Sequence, residues 1–293
     1  MLALIRLLDD PDPTVFNVVS KQLLSYGKSM IPFLEQEWSD VSDSLVQERI
    51  ENLIQQTHFL EIKAQLLLWA ANNSEDLLLG AIIVSKFRNT TLDIDAIRKE
   101  FETLKESLWL DLNDYLTPLE KINIVNSILF NFFKLNGHEM SDTSPELYCI
   151  NHTLKYRQGN ALTNGILYIS LCQMLDIPIF AINIPHQFIL GYIETSHSFT
   201  DIEGRNPIER VQFFIDPTNG NIFTKLEIQD YLRRIDAPYK EDYFSKKTHL
   251  QIIIYLIDRL RITYERNKSY DLADDLQLLI ETLEIYIPKE EEQ

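Results

Sequence analysis

A thiol, an imidazole and a carboxylate held in one geometry make a nucleophilic site. Unpaired N–H groups and the dipole of a helix N-terminus lower the thiol's pKa, the imidazole takes its proton, and the carboxylate orients the imidazole. Between residues 149 and 220 the chain offers three places for such groups: the helix start RQGNALTNG, the strand start PHQF and the strand end FIDPTNG. His186 and Asp216 supply an imidazole and a carboxylate, and the nucleophile is open. Thr163, in the first turn of that helix, needs an activating base, and its other role is to satisfy N-terminal amides. A shifted triad of Cys149, His186 and Asp216 has residue type alone in its favour. Cys172 lies in mid-helix beside Tyr168, Leu171 and Leu175 and reads as a small buried hydrophobe. Asp216, ahead of Pro217, Thr218 and Asn219-Gly220, is equally what an ordinary turn uses.

The remaining histidines add little chemistry. His152 falls near the candidate stretch, whereas His58, His138, His197 and His249 are scattered, without the i, i+4 pairing of a metal-binding helix. No metal and no cofactor is expected. The formal net charge of −17 argues against nucleic acid as partner, since phosphate binding rests on Lys and Arg, and against an anionic membrane surface. The opening MLALIRLLDDPDP reads as a helix rather than a leader, and no run reaches the length of a membrane span. Two cysteines without export signals suggest reduced thiols and a cytoplasmic protein.

The elements that must position these residues follow from periodicity. From Leu2 to about Phe59 apolar residues recur at three and four residue spacing, punctuated by Pro11, Pro13, Gly27 and the run from Ser39 to Ser44. Short stacked helices of this kind fit a HEAT-like array or an ordinary helical subdomain. Helices are predicted over 60–88, 92–115 and 118–135, with Trp69 and Trp109 in the core and NGHEMSDTSPE as a loop. A helix over 160–175 then feeds three β-rich runs, IFAINIP, QFILGYIE and VQFFIDP, implying a small antiparallel sheet. Gly165 inside that helix marks a close backbone approach. Helices return over 225–235, 248–266 and 270–286, the last two as a hairpin, before a charged tail PKEEEQ that should fray.

The run NHTLKYRQGNALTNGILYISLCQMLDIPIFAINIPHQFILGY, followed by FFIDPTNGNIFTKLE, resembles the SirB-type family of bacterial transglutaminase-like proteins, and the likeness extends over nearly the whole chain. The resemblance implies an α+β, predominantly helical fold. A transglutaminase-like (papain-like) core with a small antiparallel sheet would occupy 118–240, between an N-terminal helical, HEAT-like region over 1–117 and a C-terminal TPR-like hairpin over 241–293. Enzymes of that type place cysteine after a glycine, about fifteen residues before the glycine of a Leu-Gly-Ile-Pro turn, a spacing set by helix geometry. Counting back from Asp176 in LDIP reaches Ala161. The SirB-type family itself generally lacks the cysteine. The family's Pro-Gly-His-Phe stands here as Pro185-His186-Gln187-Phe188, with Gln187 at the histidine position and a histidine one residue earlier. Gln187 hydrogen-bonds but cannot act as a general base. Strand alternation should turn His186 to the opposite face. Asp216 matches within Ile-Asp-Pro.

Together these readings imply a non-catalytic protein that binds another protein or a peptide, with Ala161, Gln187 and Asp216 marking a degenerate site. The alternative is a hydrolase or amide transferase using Cys149, Thr163 or His186.

Overall fold

The structure is a computed structural model that describes residues 2–140, 144–193 and 207–287; His197 and the PKEEEQ tail lie outside them. The chain forms two compact units, Met1–Leu68 and Trp69–Gln293. Among the described residues no helix is long and apolar enough to cross a membrane.

The first unit is helical: α1 (Leu2–Ile5), α2 (Pro13–Ser25), α3 (Ile31–Asp40) and the larger part of α4 (Ser44–Asn72). Asp12 starts α2 by accepting the Thr14 N–H at 2.8 Å, with Pro13 in the first helical position where no N–H is needed. Gly27 takes φ +60° at the break before α3. Leu8, Val19, Leu23, Leu34 and Ile50 form the core. Arg49 lies over the Phe16 ring and donates to Leu8 O at 2.6 Å and Asp10 O at 3.0 Å. The predicted break near residue 60 is absent, because α4 carries no Gly or Pro between Ser44 and Asn72.

The second unit opens with α5 (Leu77–Ser85), started by Asp76 accepting the Leu79 N–H at 2.9 Å, and α6 (Ile94–Trp109). Trp69 is buried, and its indole N–H donates to Asp76 O at 2.8 Å. Gly80 lets that indole close on α5, since a Cβ there would lie 2.8 Å from the ring. Trp109, expected in the core, is 67% exposed at the end of α6: its side chain falls off the stripe of Ile97, Phe101, Leu104 and Leu108 that faces inward.

Next come α7 (Pro118–Asn126) with a π-helical turn over Ser127–Phe132, β1 (Asn136–His138), α8 (Ile150–Tyr156), β2 (Gln158–Asn160) and α9 (Ala161–Gln173). β1 and β2 pair in parallel, a feature the sequence reading missed because each is three residues long and neither alternates. α9 is buried from Ala161 to Cys172. The four-stranded antiparallel sheet follows as a meander: β3 (Ile179–Ile184), β4 (Gln187–Ile193), β5 (Val211–Ile215) and β6 (Ile222–Phe223), with the short α10 (Pro207–Arg210) leading into β5. α11 (Lys225–Arg234) packs on one face of this sheet, with Ile228 and Leu232 against Ile182, Ile184 and Ile189. α9 packs on the other. A Cβ at Gly165 would stand 2.6 Å from the Phe188 ring, so glycine there is what admits β4, as expected. The chain closes with the predicted hairpin, α12 (His249–Arg266) and α13 (Tyr270–Glu284), whose Leu256, Leu260, Leu276 and Leu279 are buried.

Candidate functional site

At the start of α9 the polar groups serve the helix. Asn160 is the N-cap: Oδ1 accepts the N–H groups of Leu162 at 3.0 Å and Thr163 at 3.1 Å. Thr163 returns the favour through Oγ1, which accepts the Asn160 N–H at 3.0 Å and donates to Leu147 O at 3.1 Å. Both side chains are fully buried, and no imidazole is among the partners of the Thr163 hydroxyl. Ala161 beside them offers a methyl group. Sequence reasoning passed over Asn160, although an asparagine directly before an apolar helix is a capping signal.

At the strand start, Ile184 and Gln187 are the closing pair of the β3–β4 hairpin, which leaves Pro185 and His186 as its two-residue turn. His186 is exposed with φ +63°, a left-handed conformation that favours glycine. This explains why a Pro-Gly pair suits the family's pattern here. His186 therefore sits in the turn rather than on either face of the strand. Tyr231 of α11 fixes the turn by donating its hydroxyl to Pro185 O at 3.0 Å.

The pleat then sorts the next residues. Phe188 lies against Gly165 of α9, so Gln187 and Ile189 belong to the opposite face, where Ile189 packs with Ile228 and Leu232 of α11. Ala161 stands one helical turn before Gly165, on the α9 side. The positions that would carry thiol and imidazole thus fall on opposite sides of β4.

Asp216 is bound into its own turn. Oδ1 accepts the Thr218 N–H at 2.8 Å and the Thr218 hydroxyl at 2.6 Å, and Oδ2 accepts from Asn219 Nδ2 at 3.2 Å. Gly220, at φ +77°, completes the turn by donating its N–H to Asp216 O at 2.8 Å. Thr218 rests on Gly137 of β1, where a Cβ would lie 2.4 Å away, so the Asp216 turn braces the β1–β2 ribbon that leads into α9.

Gln187 and Asp216 do meet in one place, a cleft of about 760 Å³ on the α11 face of the sheet. Ile184, Ile189, Phe223 and Ile228 give it apolar walls. Glu227, Asp230, Arg233 and Arg234 supply charge, with Arg233 and Asp230 paired to each other. The Thr224 N–H and hydroxyl, donating to Glu227 Oε2 at 2.7 and 2.8 Å, hold that carboxyl below its usual pKa and keep it ionised. Among the described residues the lining contains no thiol, imidazole or aliphatic hydroxyl; Ala161, Thr163, His186 and Cys149 do not border it.

Cys149 lies elsewhere, 3% exposed, with its S–H donating to Pro145 O at 3.6 Å. Burial pushes its thiol up to about 12, Arg88 drawing it back only in part. Cys172 is fully buried, and burial raises its thiol further. Both cysteines are free. His152 Nδ1 lies 3.3 Å from Gln158 O, with its ring against Tyr156. No group of three or more His, Cys, Asp or Glu among the described residues is arranged to hold a metal ion.

Comparison with known proteins agrees with this architecture. The family model described as Transglutaminase-like superfamily matches residues 95–258. A UPF0162 protein of Buchnera aphidicola (subspecies Acyrthosiphon pisum) is 25% identical over 206 residues, covering 65% of this chain and 70% of that protein. A second UPF0162 protein, from the Schizaphis graminum subspecies, is 25% identical over 155 residues, covering 52% of this chain and 51% of its own length. Protein SirB1 of Salmonella typhimurium is 20% identical over 204 residues, covering 69% and 71% respectively. No solved structure matches the chain. The chain belongs to the transglutaminase-like superfamily, within its SirB-type family.

Proposed function

We propose that this protein is a non-catalytic transglutaminase-like protein that binds a segment of another protein, or a peptide, in the cleft between the β3–β4 hairpin and α11. The observation that carries the reading is the separation of the two reacting positions: Gln187 lines the cleft while Ala161 starts a helix on the other face of the sheet. An acyl-transfer site needs nucleophile and base within hydrogen-bond reach, and here neither side chain is present nor aimed at the other. The cleft itself suits recognition. Its isoleucines and Phe223 can seat an apolar side chain, the Gln187 amide can both donate to and accept from a peptide backbone, and Glu227 can pair with a basic residue.

Selection of a random peptide library against the full chain tests this. Selected peptides should carry an apolar residue near a basic one and remain uncleaved after prolonged incubation. Phe223→Ala and Glu227→Gln should each weaken them by about tenfold, in line with the loss of one buried contact or one charged hydrogen bond. Peptides that are hydrolysed, or that bind both variants as well as the parent, would refute the reading.

A further inference from the structure

Between Lys105 and Lys121 the chain carries Glu106, Asp111, Asp114 and Glu120 and no basic residue. The same stretch holds the end of α6, the turn after it and the start of α7, and it leaves large apolar side chains uncovered. Trp109 is 67% exposed, Leu110 76% and Tyr115 98%. A single apolar side chain on a surface is ordinary, but three in one turn make a patch. At about 150–250 Å² per aromatic side chain, Trp109 and Tyr115 alone leave on the order of 300 Å² open to water, the size at which apolar patches mark contact with another molecule.

The backbone beneath the patch is held. The Leu110 N–H donates to Glu106 O at 3.3 Å and the Asp111 N–H to Leu108 O at 3.2 Å, closing α6. Asn113 fixes the turn, its Oδ1 accepting the Tyr115 N–H at 3.0 Å and its O the Leu116 N–H at 3.4 Å. Thr117 and Glu120 then start α7 with a reciprocal capping box. On the inner side, Phe101, Leu104 and Leu108 tie α6 to the core. A surface ordered in advance loses little conformational freedom on binding, so a small area can still give affinity.

Charge selects the occupant. Glu106, Asp111 and Asp114 are exposed and in no ion pair among the described residues, and the neighbouring Lys105 is taken up by Glu102 at 3.2 Å. Carboxylates in this arrangement repel an anionic lipid surface and attract a cationic one on a protein. Tryptophan and tyrosine are also the side chains that carry most binding energy between proteins. We propose that the turn from Trp109 to Tyr115 docks a basic amphipathic helix of a partner protein. Trp109, Leu110 and Tyr115 take the apolar stripe of that helix, and Glu106, Asp111 and Asp114 meet the lysines or arginines that edge it. This surface shares no residue with the cleft of Gln187 and Asp216.

A lysine–leucine peptide patterned as an amphipathic helix is the probe, and a glutamate–leucine peptide of the same pattern reverses its charge. Trp109 supplies a local readout: in the full chain with Trp38→Phe, the remaining indoles are Trp69, buried, and Trp109, exposed. The lysine–leucine peptide should move the emission to shorter wavelength and saturate, whereas the glutamate–leucine peptide and phosphatidylcholine vesicles should leave it unmoved. Tyr115→Ala, and Asp111→Asn combined with Asp114→Asn, should each weaken the lysine–leucine peptide by about tenfold. Neither change should lower the melting temperature, since all three side chains are exposed. Absence of a saturable shift at sub-millimolar peptide, an equal shift with the glutamate–leucine peptide or the vesicles, or a titration unchanged in either variant would overturn the proposal. So would a shift abolished by Phe223→Ala, which would place the peptide in the separate cleft.

Discussion

Cys149 and Asn160 show how single residues at the start of α8 and α9 serve structure. The Cys149 thiol, buried and pushed up to about 12, stays protonated near pH 7, and the thiolate is the reactive form. With Cys172 buried deeper still, neither cysteine of the native protein should react with iodoacetamide at pH 7.5, whereas both should react in denaturant. Mass spectrometry of the alkylated chain checks this, and rapid native labelling of Cys149 would contradict it. Asn160→Ala removes the acceptor of two buried N–H groups and should cost about 1–2 kcal/mol, read as a lower urea midpoint with an unchanged slope.

At the scale of elements, α9 and the sheet depend on a close approach that only glycine permits. Gly165→Ala would gain helix propensity of about 1 kcal/mol at an open position, yet its Cβ would meet the Phe188 ring at 2.6 Å. The net effect should be destabilisation of about 1–3 kcal/mol in urea unfolding, because the neighbour is a buried ring rather than a flexible surface side chain. His249, at the start of α12, places Nδ1 3.2 Å from Ser74 O, and burial lowers its pKa below the usual 6.5. A depressed histidine pKa means the native state favours the neutral ring. Its contribution is present above pH 6.5 and is lost as pH falls through the folded value, so His249→Gln should flatten the decline in urea midpoint below about pH 6.5. Legibility in the sequence divides along the same line between local and non-local causes. The hairpin α12–α13, the β-rich runs, the Asp216 turn and the role of Gly165 rest on spacing and residue type, and all could be read. The β1–β2 ribbon could not, because its pairing joins segments some twenty residues apart in the chain and leaves no periodic trace in either. Trp109 misled because residue type gives hydrophobicity, not the angle at which a side chain leaves its helix.

For the molecule as a whole, the sheet stands between residue 161 and residue 187. β4 has α9 on one side and α11 on the other, and the pleat assigns residue 187 to the second while residue 161 starts the first. The turn at His186 forces that assignment, since the closing pair Ile184 and Gln187 sets the phase of every residue after it. The spatial relation of residues 161 and 187 was not legible in the sequence: one residue of phase decides which face a side chain reaches, and sequence alone leaves that phase to the turn. Placing a thiol and an imidazole at these two positions tests this most directly. In the double variant Ala161→Cys, Gln187→His, the rate of alkylation of the new thiol is measured as a function of pH, with the native cysteines silent. The new thiol should titrate at the same value in Ala161→Cys alone as in the double variant, with no hydrolysis of peptides. A thiol whose value falls only when Gln187→His is added would show a thiolate–imidazolium pair formed across the site, and would contradict this.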